Sequence, residues 1–157
     1  MNAPPSTANL QALIRQKLDV VRVLAELAKQ QVAFVESGEM TRLLTLLAGK
    51  QTMLTQLQTI EDQLNPYRGQ PPQTRQWPSA AERQECLDNV ARCEAILAEI
   101  IQQEKLAEAV MVRRRDQLAT QLQGAQTAGE ATAAYVATGY STAPASSQSG
   151  LDLSCEG

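Results

Sequence analysis

One short interruption constrains what this chain can fold into more than any other feature. Over residues 7–36, and again over residues 39–64, apolar residues recur every three or four positions, which is the spacing of one face of an α-helix. Between these segments stands Ser37-Gly38, and glycine readily adopts the left-handed backbone that ends a helix. Two helices joined by so short a connection must fold back on each other. The sequence therefore predicts an antiparallel helical hairpin.

A third and longer helix is predicted after a proline-rich connector. Residues 65–78 contain four prolines and a glycine, which predicts a non-helical linker. Ser79 and Glu82 then have the spacing of a capping box, and neither proline nor glycine recurs before Gly124. We therefore expect a helix over residues 79–123, about 65 Å long against about 40 Å for each helix of the hairpin.

These elements predict an all-α fold: an antiparallel hairpin plus a long third helix, forming an elongated three-helix bundle or coiled coil. A disordered lead (residues 1–6) precedes this helical domain (residues 7–123). Residues 124–157 are rich in Ala, Thr, Ser and Gly and poor in large apolar residues, so we expect a disordered, low-complexity tail. The linker can span roughly 45 Å when extended, which leaves the direction of the third helix open.

Several scarce residues are expected to have structural roles. Tyr67 and Trp77 should cover one end of the bundle. Cys86 and Cys93 lie seven residues apart on one helix, too far apart for a disulfide, and are expected as small core residues. With Cys155 they make an odd number of cysteines in a chain whose start has no signal-peptide pattern. This favours reduced thiols and a cytoplasmic location.

The third helix is longer than the hairpin, and this difference in length predicts an exposed apolar surface near its C-terminal end. About 27 of its residues can pack on the hairpin, which reaches to about residue 105. Charged residues such as Glu104 and Arg114 then fall on rows that were apolar, and burial without partners would cost several kcal/mol each. Residues 105–123 are therefore predicted to leave the bundle. They keep large apolar side chains, of which the following are the predicted partner-binding residues: Leu106, Val110, Met111, Leu118 and Leu122.

The residues alone leave three uses of this segment open. An exposed apolar helix edge can bind a partner protein. It can instead pair with a second copy of the chain, which would make the protein a structural homodimeric coiled-coil scaffold or stalk. It can also fray without binding anything.

The sequence carries little of the chemistry that enzymes use. It has no histidine and no phosphate-binding glycine loop, and its carboxylate pairs, such as Glu61-Asp62, fall on predicted solvated faces. A net charge of −3 with scattered cations disfavours nucleic acid and anionic lipid. No apolar run reaches the ~20 residues that a bilayer requires. We therefore expect a protein-binding protein that is not an enzyme, uses no cofactor or metal, and neither binds nucleic acid nor inserts into a membrane.

One stretch is similar to a known family. LAKQQVAFVESGEMTRLLTLLAGKQTMLTQLQTIEDQL resembles the FlgN-type flagellar export chaperones, whose pattern is a long first helix, a tight Gly-Asp turn, which is Gly38-Glu39 here, and a second helix with spaced leucines and a Lys-Gln pair. The tail stretch AAYVATGYS resembles the family motif of a tyrosine followed four residues later by glycine. The positions that carry the resemblance are Gly38-Glu39, Leu43, Leu44, Leu47, Lys50-Gln51, Tyr135 and Gly139.

The resemblance implies a concrete function. Such proteins hold the hook–filament junction proteins in the cytoplasm, prevent their premature assembly, and deliver them to the flagellar type III export gate. It implies that cargo binds mainly to the C-terminal part of the third helix, here around Met111, Leu118 and Leu122. It also implies that Tyr135 contacts the export gate. The expected mechanism is coupled folding and binding of disordered, helix-prone cargo termini.

Overall fold

The fold is all-α in a computed structural model that describes residues 6–156, with side chains to residue 138. The chain divides into two compact units, Met1–Val112 and Arg113–Gly157. The described residues form three α-helices and a short 3₁₀ helix, with no strand among them: α1 (Thr7–Ser37), α2 (Met40–Arg68), the 3₁₀ helix (Pro72–Thr74) and α3 (Ala80–Glu156). None of these helices is both long and apolar enough to cross a membrane.

The predicted hairpin turn is confirmed at Gly38. This residue has φ 74°, and its N–H donates to the carbonyl of Val35 over 3.3 Å. The N–H of Glu39 donates to the carbonyl of Phe34 over 3.1 Å. These two bonds are those of a Schellman motif, in which a left-handed residue satisfies the last carbonyls of a helix. The backbone conformation that only glycine adopts without strain thus reverses the chain between α1 and α2.

Helix α1 is the central helix of the first unit. It has apolar residues on two adjacent rows and buries them along its whole length, so it packs against both other helices. Leu18 packs in one cluster with Cys93, and Val35 packs in another with Val110. Low residue numbers of α1 therefore meet low residue numbers of α3. Within the first unit, α3 runs parallel to α1 and antiparallel to α2, which answers the question of direction that the linker left open.

The start of the chain and the linker meet at one end of the first unit. Ser6 caps α1, because its Oγ accepts a hydrogen bond from the N–H of Asn9 over 3.1 Å; residues 1–5 lie outside the described residues. Tyr67 is buried in the cluster at this end and Trp77 packs against it, as predicted. The Tyr67 hydroxyl accepts from Nδ2 of Asn9 (2.8 Å) and donates to the carbonyl of Ser6 (3.1 Å).

Helix α2 is longer than predicted. It continues past Leu64, through Pro66, to Arg68. A proline inside a helix costs about 3 kcal/mol, so something must offset that cost. The burial of Tyr67 does so, together with its two hydroxyl bonds and a hydrogen bond from Arg75 to its carbonyl (2.8 Å). The predicted linker is correspondingly shorter at its start.

Helix α3 begins as predicted. The Oγ of Ser79 accepts a hydrogen bond from the N–H of Glu82 over 3.1 Å, which is the N-cap half of the capping box. Cys86 and Cys93 are free and buried, as expected for core residues. Burial raises the pKa of both thiols, so they stay protonated and behave as small apolar groups. The side chain of Cys155 lies outside the described ones.

Two predictions about the later part of α3 need correction. Residues 105–123 were expected to leave the bundle, yet Ala107 and Val110 are buried in the first unit. The reason is an ion pair: Nζ of Lys50 binds Glu104, so a charge that would have been costly alone is compensated at the interface. The helix also does not end at residue 123 but continues to Glu156.

The second unit is helical, and its described side chains form no buried core. Residues 124–156, predicted from composition as a disordered tail, have helical backbone, and none of the described side chains from 113 to 138 is buried. Glycine in a helix interior costs about 1 kcal/mol relative to alanine. Gly124 and Gly129 are surrounded by alanine and glutamine, which favour helix, so each weakens the helix without ending it.

Candidate partner-binding surface

Five of the six predicted partner-binding residues are exposed and one is not. Val110 is 3% exposed and packs in a core cluster with Val35 and Leu43, so its assignment to a binding surface is wrong. It lies on the side of α3 that faces the hairpin. The exposed predicted residues are Leu106, Met111, Leu118, Leu122 and Tyr135.

In the first unit, Met111 lines a surface groove of about 490 Å³. The groove includes Gln31 of α1, the apolar residues Ile101 and Val112, and a charged stretch of α3. Glu104, which also lines the groove, is held by Lys50, which donates to Oε1 of Gln31 over 3.0 Å as well. A groove lined by both apolar and charged residues suits one bulky side chain of a partner helix. Leu106 does not line this groove.

In the second unit, Leu118 and Leu122 are one helical turn apart and are 57% and 70% exposed. Residues four apart lie on the same side of a helix, so the two leucines form a single apolar edge. Tyr135 is 13 residues beyond Leu122, which places it on a different side at about 100° per residue. Val136, which sequence reasoning did not single out, is exposed and falls within about 40° of Leu122.

Glu61, one of the predicted solvated carboxylates, is instead part of a partly buried ion-pair cluster. Burial alone would raise its pKa, but hydrogen bonds from Lys17, 2.7 Å away, and from Arg68 outweigh burial and hold the pKa below its usual range. The carboxylate therefore stays ionised and joins α1 to α2. Among the side chains that the structure describes (residues 6–138), no cluster of three or more Cys, Asp or Glu is placed to hold a metal ion.

A second exposed apolar surface lies on α2 and was missed. Its large members are Met40, Leu44, Leu47 and Leu54. The sequence carries leucines on two sides of this helix, since Leu43 and Leu46 are buried while their neighbours are not. Periodicity shows both rows but does not show which row faces α1. The signal available in the sequence was the scarcity of charged residues in this helix, with Lys50 alone between Arg42 and Glu61.

Comparison of the chain with protein-family models, with curated proteins and with solved structures finds no match. The case for a function therefore depends on the residues, the exposed surfaces and the resemblance described above.

Proposed function

We propose that the protein is an export chaperone of the FlgN type, which holds hook–filament junction proteins in the cytoplasm and delivers them to the flagellar type III export gate. The observation that carries this proposal is the exposure of Leu118 and Leu122 on a unit that has no described buried side chain. An isolated amphipathic helix is marginally stable in water and gains stability when a partner covers its apolar edge. The turn at Gly38 and the leucines of α2 add the resemblance in sequence.

The cargo segment that fits such an edge is itself an amphipathic helix. Its apolar face would cover Leu118 and Leu122. Arg113 and Arg115 flank this segment in sequence and favour cargo with acidic residues beside its apolar row. Both partners order on binding, which lowers affinity per unit of buried area and keeps the complex reversible at the gate.

Tyr135 has a separate role in this proposal. Its ring is 80% exposed and it does not share the side of the helix that carries Leu122. A residue on another side can contact the export gate while cargo is bound. We expect Tyr135→Ala to retain cargo binding and to reduce export of the cargo in a secretion assay.

The direct test is co-purification with a hook–filament junction protein. Leu118→Asp with Leu122→Asp should abolish co-purification and leave the melting temperature unchanged, because neither side chain is buried. The matched control is Thr120→Asp with Gln123→Asp, which adds the same charge to the same turns at positions at least about 100° around the helix from either leucine. Cargo binding that survives the leucine double variant, or is lost equally in the control, overturns the proposal.

The competing function is a homodimeric coiled-coil scaffold. A dimer that does not dissociate on dilution, that falls apart with Leu118→Asp and Leu122→Asp, and that binds no junction protein would replace the chaperone proposal. Light scattering on the full chain measures this directly.

A further inference from the structure

A pocket of about 370 Å³ lies in the first unit, beside the buried end cluster that contains Tyr67. All three helices and the linker contribute to its wall, and we call it the linker pocket. Its volume and its mainly apolar lining are typical of a site for a small organic molecule. Its buried apolar residues, with the half-buried tryptophan of the linker, are Leu10, Ile14, Leu64, Tyr67, Cys86 and Trp77.

The polar part of the lining carries an excess of positive charge. Three cations line the linker pocket: Lys17, Arg68 and Arg75. Lys17 and Arg68 share one carboxylate, that of Glu61. Glu94 also lines the pocket and is exposed. Two carboxylates thus accompany three cations, which leaves one positive charge in excess in a chain whose net charge is −3.

The excess charge belongs to Arg75. Among residues 6–138 its guanidinium forms no ion pair and donates instead to two neutral acceptors. Nε donates to Oε1 of Gln70 over 3.2 Å, and Nη2 donates to the carbonyl of Tyr67 over 2.8 Å. These bonds fix the guanidinium and leave Nη1 without an acceptor in the same part of the chain. Arg75 is half-buried, and a cation that is partly removed from water is stabilised by an anion beside it.

We propose that the linker pocket binds a small carboxylate that carries an apolar chain, such as a medium-chain fatty acid. The carboxylate accepts hydrogen bonds from Arg75, whose planar guanidinium matches its geometry, and the chain covers apolar lining residues such as Trp77. A neutral apolar molecule does not compensate the charge of Arg75, and a cation is repelled by it.

The size of the linker pocket favours a small molecule over a protein segment. Four segments of this chain already form its wall, and 370 Å³ is near the lower end of the range for ligand sites. A bound molecule contacts the linker and the helices together, so it should stabilise the first unit in proportion to its concentration and affinity. The pocket shares no residue with the surface proposed for cargo, so the two proposals stand or fall separately.

The test is titration of the full chain with decanoate, followed through the emission of Trp77, the only tryptophan of the chain. The wild type should show a saturable change in emission, and the melting temperature of the first unit should rise with the decanoate concentration. Decanol and decylamine have the same chain without the negative charge. Both should bind at least about tenfold more weakly than decanoate.

Two variants and a matched control locate the site. Arg75→Gln removes the excess charge and should weaken decanoate binding by about tenfold or more. Arg83→Gln removes the same charge from an exposed residue of α3 outside the pocket and should leave binding unchanged. Leu87 lines the pocket but is 52% exposed, so Leu87→Glu should leave the fold intact and weaken binding by adding a negative charge.

Several results would overturn the proposal. One is a wild type whose emission and melting temperature do not change up to about 10 mM decanoate. Another is decanol binding as tight as that of decanoate, or decanoate binding that withstands Arg75→Gln and Leu87→Glu, or that Arg83→Gln weakens equally. Tighter binding of a short peptide that ends in leucine would overturn it in favour of a site for a chain terminus.

Discussion

Helix α3 is held in different ways in the two units. In the first unit, tertiary packing fixes it, and its buried apolar side chains are Cys86, Cys93, Ala107 and Val110. In the second unit the described apolar side chains, such as Leu118 and Leu122, are exposed, so the described part of this helix is favoured by backbone hydrogen bonds, residue propensity and local side-chain pairs and not by burial of these side chains. One continuous helix can therefore have a stable part, whose order comes from packing, and a marginal part, whose order depends on what binds it.

The largest expected effect is on amide hydrogen exchange. Amides near Cys93 should exchange only when the first unit unfolds, whereas amides near Leu118 should exchange by local fraying. A difference of about 10³-fold or more in protection is expected, given an ordinary domain stability. Exchange measured by NMR or mass spectrometry tests this. Similar protection in both segments would show that the second unit is held by contacts as strong as those of the first.

The next largest expected effect is the loss of unfolding free energy when one apolar residue in each unit is replaced by aspartate. Val110→Asp buries a charge beside Val35 and Leu43 and should lower the free energy of unfolding by about 3–5 kcal/mol. Leu118→Asp should change it by no more than about 0.5 kcal/mol. Urea unfolding of both variants provides the comparison. Equal losses would mean that Leu118 is packed in solution.

Replacing one glycine in each unit by alanine should have smaller effects, on stability in the first unit and on helical content in the second. Gly49→Ala, in the first unit, should raise the free energy of unfolding by up to about 1 kcal/mol, since a methyl group there meets nothing. Gly124→Ala also has open space and should increase helical content in the second unit without moving the cooperative transition. Circular dichroism during thermal unfolding gives both quantities. A shift of the transition by Gly124→Ala would contradict the separation of the two units.

The smallest expected effect is on how stability falls as the pH is lowered. Because the folded pKa of Glu61 lies below its unfolded value, its contribution to stability is fully present above about pH 4.5 and is lost as the pH falls through the folded pKa. Glu61→Gln should therefore flatten the fall in stability that sets in below about pH 4.5. Asp116→Asn, in the second unit, is the control and should leave that slope unchanged. An unchanged slope in Glu61→Gln would contradict the ion-pair cluster.

Signals carried by residues close together in the sequence made the helix boundaries and part of the core predictable. The left-handed glycine at Gly38, the N-cap at Ser79 and the small core cysteines each depend on residues close together in the sequence. Such signals need no knowledge of how the helices pack. They account for the hairpin turn, the start of α3 and part of the core.

Longer-range features could not be predicted for a physical reason. The charge of Glu104 indicated that α3 stops packing on the hairpin at this point. Its partner Lys50 is 54 residues away in the sequence, and the ion pair between them allows the packing to continue. The neighbours Val110 and Met111 were assigned together to the binding surface, yet a rotation of about 100° puts one in the core and leaves the other exposed. Of the predicted surface, the edge at Leu118 and Leu122 was placed correctly as exposed because no helix of its own unit covers it.

The chain's only tryptophan has a spectroscopic consequence. Trp77 packs against the end cluster of the first unit, so its emission reports the melting of that unit alone. Far-ultraviolet circular dichroism instead counts every helical residue of the chain. The two unfolding curves should fail to superimpose even when the first unit melts in a single step, and the gap between them measures the helix that the second unit keeps unaided.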